Sequence, residues 1–178
     1  DRADAIAAYR ALATLHAMEA ADEALLVGLL DHSDEHLRAW AVRLLSDSWP
    51  LDDVYGPIWI SDSGAARIEA QVERLLPDLC TLAADDPSGL VRLALASVLQ
   101  RLPVAHRAQL AAPLLTRVED ADDHNLPLLV WYGLIPLAEQ DPRALAELAV
   151  QARWPRTQRL IARRLAGEID DHPGAIEY

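Results

Sequence analysis

Three groups of residues have the types and spacing to do chemistry. His32 and His36 lie four apart among Asp31, Asp34 and Glu35; on one continuous helix both imidazoles would share a face and could hold a divalent cation. Asp122, Asp123, His124 and Asn125 form a second polar knot beside Trp131 and Tyr132, and carboxylates next to an imidazole can move protons. Cys80 is the single thiol. Each group also has a plainer reading. The first straddles a turn whose counterpart at Asp85 has no histidine, so capping accounts for it. No nucleophile or phosphate loop accompanies the second, which leaves capping or a partner contact through His124, Asn125, Trp131 and Tyr132. Cys80 stands in a Leu-rich helical stretch and reads as a buried structural thiol. One cysteine also excludes an internal disulfide, a CxxCH haem attachment and a multi-cysteine zinc site. No catalytic, cofactor-binding or metal-ligating residue is therefore assigned.

The elements that position these residues repeat. Four segments align without gaps: DHSDEHLRAWAVRLLSD from Asp31, DDPSGLVRLALASVLQR from Asp85, DADDHNLPLLVWYGLIP from Asp120 and ARWPRTQRLIARRLAGE from Ala152. Each begins as a polar turn and becomes a helix. Leu37, Trp40, Ala41, Leu44 and Leu45 keep the spacing of one helical face. Val91, Ala94, Leu95, Val98 and Leu99 do the same in the second segment, Leu126, Leu129, Val130 and Leu134 in the third, and Ile161, Ala162, Leu165 and Ala166 in the fourth. An amphipathic helix precedes each, over 23–30, 68–82, 107–118 and 142–150. A partial unit opens the chain with the stripe Ile6, Tyr9, Leu12, Ala13 and His16. Asp34, Ser88 and Asn125 are placed as N-caps. Pro127 falls in a first turn, where its missing N–H costs little, and Pro136 should end or kink the third helix.

The expected fold is all-α: a HEAT-like α-solenoid of about four to five helix pairs in a single domain over 1–178. Its units run over about 1–20, 21–48, 64–102, 104–139 and 141–169, with an insertion over 46–64 and a tail over 170–178. The insertion places Trp49, Tyr55 and Trp59 in a Pro- and Gly-punctuated loop, either folded back as a flap or inserted into a partner. Trp40 reads as core, and Trp154, just before Pro155, as a packing staple at a helix entrance.

Composition agrees with helices. Apolar residues make up 52%, Phe is absent, Gly numbers only 7, and all 16 basic residues are Arg. A net charge of −12 opposes binding to a phosphate backbone. Arg153, Arg156, Arg159, Arg163 and Arg164 nonetheless cluster, as a solvated helix face or as a site for an acidic partner. No apolar run is long enough to span a membrane. The chain opens on Asp1 rather than Met, so a piece of a longer protein is expected.

The Leu37–Arg38 and Val91–Arg92 pairs, each after an Asp-rich turn and followed by alternating alanines, resemble HEAT repeats. Pro127 departs from that pattern and puts an unbroken Asp–Arg ladder in doubt. More narrowly, DHSDEHLRAWAVRLL, GLVRLALASVLQRLP, DADDHNLPLLVWYGLIPLA and RLIARRLAGEI resemble the HEAT-repeat region of the large membrane-bound dehydrogenases of planctomycetes. In that family the region lies between a β-propeller and a cytochrome c-type haem domain. The resemblance implies a non-catalytic scaffold in an exported, periplasmic redox protein, binding protein rather than nucleic acid or membrane. Haem, and a quinone cofactor, would belong to the flanking domains. The rival readings are a HEAT-type enzyme or bilin lyase-like chromophore handler, which needs converging His, Asp or Glu groups, and a HEAT-like DNA-repair fold, which needs a basic groove.

Overall fold

The computed structural model describes residues 2–53, 56–57 and 60–168; the tail over 170–178, Tyr55 and Trp59 lie outside them. The regular elements among the described residues are helices apart from one short bridge. In chain order they form α1 (Arg2–Ala17), α2 (Glu23–Gly28) with a 3-10 turn over Leu29–Asp31, and α3 (Glu35–Leu45). Strands β1 (Asp52–Asp53) and β2 (Gly56–Pro57) pair antiparallel, Asp52 opposite Pro57. There follow α4 (Asp62–Asp85), α5 (Gly89–Val98), α6 (Val104–Leu115), a 3-10 turn over Val118–Asp120, α7 (Leu126–Leu134), α8 (Leu137–Gln140), α9 (Pro142–Gln151) and α10 (Pro155–Gly167).

Successive pairs pack on one another. One set of contacts joins α3 to α5, α5 to α7 and α7 to α10; a second joins α4 to α6 and α6 to α9. Within pairs α2 meets α3, α4 meets α5, α6 meets α7 and α9 meets α10, while α1 lies against α3. The core runs between the two sets, through Leu37, Ala41 and Leu45, then Val91, Leu95 and Leu99, then Leu126, Val130 and Leu134. At Gly133 a Cβ would stand 2.5 Å from Leu99 Cβ. Glycine is what lets α7 sit this near the end of α5.

Several boundaries differ from the sequence reading. Ser61 Oγ accepts the Gly64 N–H and starts α4 at Asp62, earlier than 68, so the insertion is shorter than 46–64. That helix also carries Pro77 internally, on an exposed turn. The 107–118 helix instead starts at Val104 and stops at Leu115. Pro136 does end α7, and α8 follows it. In α1 only Leu12 of the expected stripe is buried; Ile6, Tyr9, Ala13 and His16 are exposed, because α1 meets little besides α3.

The fourth helix is shifted by one residue from the gap-free alignment. Thr157, Ile161 and Leu165 face the core, while Ala162 and Ala166 are exposed. Hydrogen bonds give the same register: Arg38 Nη1 donates to His32 O at 2.8 Å and Arg92 Nη1 to Asp86 O at 2.7 Å, six residues back in each case. Gln158 Nε2 donates to Ala152 O, again six back, at 2.9 Å. Gln158, not Arg159, therefore occupies the arginine position.

Candidate interaction surface

The turns between pairs are tied by buried ion pairs. Arg38 reaches across to the next turn, Nε and Nη2 donating to Asp86 Oδ2 and Oδ1 at 2.7 and 2.9 Å. Arg92 repeats the device one step on: Nη2 donates to Asp120 Oδ1 at 2.7 Å, and Nε donates to Oδ2. Burial pushes the Asp86 carboxyl up, but hydrogen bonds from Arg38 and the Ser88 N–H outweigh it and hold it below the usual carboxylate range. At the third step Pro127 has no donor to offer, so the ladder stops where the sequence puts it in doubt. That step is tied instead by the α9–α10 turn, where Trp154 Nε1 donates to Arg117 O at 2.7 Å and the Arg153 N–H to Leu115 O at 2.8 Å; the Arg117 guanidinium donates back to the carbonyls of Ala84 and Asp86.

The insertion is clamped to the chain. Trp49 is 2% exposed, and its Nε1 donates to Gln71 Oε1 at 2.8 Å. Arg101 Nη1 donates to the Asp47 and Trp49 carbonyls. Arg107, itself buried, donates to the carbonyls of Leu102 and Gly133 and to Asp52 Oδ2 at 2.8 Å. Burial pulls the Arg107 guanidinium below its ordinary value, and Asp52 offsets part of that. Trp49 is thus core, and its assignment as a partner contact is corrected: its indole is consumed by the flap's own packing. Nothing in the sequence singles out Arg107, and its carboxylate lies 55 residues away.

The other candidate residues divide. His32 Nδ1 accepts the Asp34 N–H at 3.0 Å, so one ring nitrogen serves the turn, while His36 is exposed in the first turn of α3. Asn125 sits at the N-cap of α7 without capping through its side chain; Asp123 Oδ1 accepts the Asn125 and Leu126 N–H groups, both at 2.8 Å. Those bonds hold the Asp123 carboxyl below its ordinary value. His124 and Asn125 are exposed, Trp131 is half-buried, and Tyr132 is 52% exposed. Trp40 is only half-buried: Tyr9 meets it edge-on at 5.5 Å and Arg43 lies over its ring at 5.4 Å. Cys80 is half-buried rather than buried, and burial raises its thiol. Trp154 is fully buried, and its Nε1 donates to Arg117 O at 2.7 Å.

These features define an all-helical protein whose helix pairs are joined turn to turn by buried ion pairs. No helix among the described residues is long and apolar enough to cross a membrane. No family model, curated protein or solved structure matches the chain.

Proposed function

We propose that the chain is a HEAT-like α-solenoid serving as a non-catalytic scaffold and protein-interaction domain. The observation that carries this reading is the repeated contact of each helix with its counterpart in the next pair, α3 to α5 to α7 to α10. Pairs stacked in this way build a one-dimensional core and leave an extended face for partners. By resemblance, the partners are a propeller and a haem domain of an exported redox protein, which would hold the haem and the quinone. The test is the coding sequence on both sides of this region: a propeller before it and a CxxCH after it are the expected result. Finding neither makes the chain a free-standing adaptor. Substrate turnover by the purified chain alone would overturn the non-catalytic reading.

A further inference from the structure

We propose that the free face of the α3–α5–α7–α10 row receives an acidic, apolar-bearing protein segment, docked on Arg156, Arg159 and Arg163 beside Tyr132. This rests on the scaffold reading and names the surface and the partner's chemistry.

The register fixed by Arg38, Arg92 and Gln158, with Pro127 between, sets side chains of the four helices in line. Five residues on stand Arg43, Ser97, Tyr132 and Arg163, each at least partly open to solvent. One residue on stand Ala39, Leu93, Leu128 and Arg159, of which only Ala39 is buried. Two residues before stand His36, Leu90, Asn125 and Arg156. An apolar strip of Leu93, Leu128 and Tyr132 therefore ends on three exposed guanidiniums of α10.

Charge is segregated between the two sets of helices. In this row α3 contributes Arg38 and Arg43, α5 contributes Arg92, and α10 contributes Arg156, Arg159, Arg163 and Arg164. The row's single carboxylate is Glu35, which accepts from Ser88 Oγ; α5, α7 and α10 have none. Helices α2, α4 and α9 carry Glu23, Asp62, Glu69, Glu73, Asp78, Asp85 and Glu147 against Arg67, Arg74 and Arg143, and α6 carries Arg107 without a carboxylate.

Arg38 and Arg92 are spent on Asp86 and Asp120, and Arg164 on Glu139 and Glu168. Among the described residues Arg156, Arg159 and Arg163 form no ion pair, although the chain has 28 carboxylates. Carboxylates from a partner complement these guanidiniums, and Tyr132 offers the aromatic anchor that interfaces favour. The overall −12 field disfavours a nucleic acid on the same arginines.

The experiment pans a random linear-peptide phage library against the immobilised chain, then titrates the selected peptides by fluorescence polarisation. The expected peptides are rich in Asp and Glu with interspersed apolar residues, and bind more weakly as salt rises. Arg159→Glu/Arg163→Glu should weaken them by about tenfold or more, Tyr132→Ala by severalfold, and Arg67→Glu on α4 hardly at all. All four positions are exposed, and unchanged circular dichroism and urea midpoints keep folding out of the comparison. Peptides that lack acidic residues, that bind the double variant as well as the parent, or that lose equal affinity with Arg67→Glu overturn this surface and leave the scaffold reading standing. Displacement by oligo(dT) at lower concentration than by free peptide overturns the acidic-protein assignment in favour of nucleic acid. A library that yields no binder overturns this surface and leaves the scaffold reading, whose partners are folded domains, to its own test.

Discussion

Replacing Asp120 with alanine should cost far more than its place in a short turn suggests. The Arg92 side chain is 4% exposed and that of Asp120 8%, so water cannot take over when the carboxylate goes. Nε and Nη2 would lose their acceptors together, and only Nη1 would keep one, the Asp86 carbonyl. Breaking a buried pair from one side costs about 3–5 kcal/mol, and Glu119, 3.9 Å from Arg92 Nη2 but half exposed, offsets only part of it. That is a large share of the roughly 5–15 kcal/mol that holds a domain together. With a urea m-value of about 2 kcal/mol/M, the midpoint should fall by about 2 M. The assay is urea unfolding followed by circular dichroism and by tryptophan fluorescence, with coincident transitions required. Glu147→Ala, which breaks the Arg143–Glu147 pair at 69% and 51% exposure, should cost about 0.5 kcal/mol or less. Arg92→Met/Asp120→Leu removes both charges and should recover most of the loss, giving a coupling of about 2 kcal/mol or more. If Asp120→Ala costs no more than Glu147→Ala, the pair does not hold the turns and the ladder argument fails.

Gly133→Ala should destabilise by about 1–3 kcal/mol through the 2.5 Å clash with Leu99 Cβ; Leu99→Gly, which removes that Cβ, should cost less in the Gly133→Ala chain than in the parent, and equal costs in the two would refute the clash. Glu19 ends α1 at φ 55°, so Glu19→Gly should raise the thermal midpoint by relieving about 1 kcal/mol of left-handed strain; an unchanged midpoint refutes it. Asp86 and Asp123 carboxyls are both held low in the fold. Their contribution is therefore present above the unfolded carboxylate value of about 3.9 and is lost as pH falls through the folded values. Asp86→Asn should flatten the acid limb of a stability–pH curve, and a parallel limb would count against it. Trp154→Phe leaves the Arg117 carbonyl without the indole donor and should cost about 1–3 kcal/mol in urea.

How far the molecule was legible depended on which signal each residue carries. Apolar spacing carries period, so the helices around Leu37, Val91 and Leu126 and the break at Pro136 could be read directly. The same signal failed in α10, where a fully buried Thr157 takes the place of a leucine and the small apolar Ala162 and Ala166 mimic a stripe they do not join. Gln158 held the correct register, but an amide reaching six residues back has no sequence signature. Capping was half legible: Asp34 and Ser88 cap as read from extended backbone, whereas Asn125 already has helical backbone angles and Asp123 takes over its role.

Charged residues have no period, and their roles part only when the pairs stack. Arg38, Arg92, Arg107, Arg156, Arg159 and Arg163 are one residue type, and the first three are distinguished by carboxylates 48, 28 and 55 positions away. Burial makes those three arginines internal ties, whose neutral replacement is a matter of stability. The other three meet no carboxylate among the described residues, so their free energy of pairing remains available to a partner. A net charge of −12 conceals this, since most of the carboxylates lie outside the two sets of stacked helices, in turns and at the ends, while the row itself carries one acid. Removing an internal tie should therefore move the urea midpoint at any salt, while reversing the free arginines should leave the midpoint in place and change only what binds.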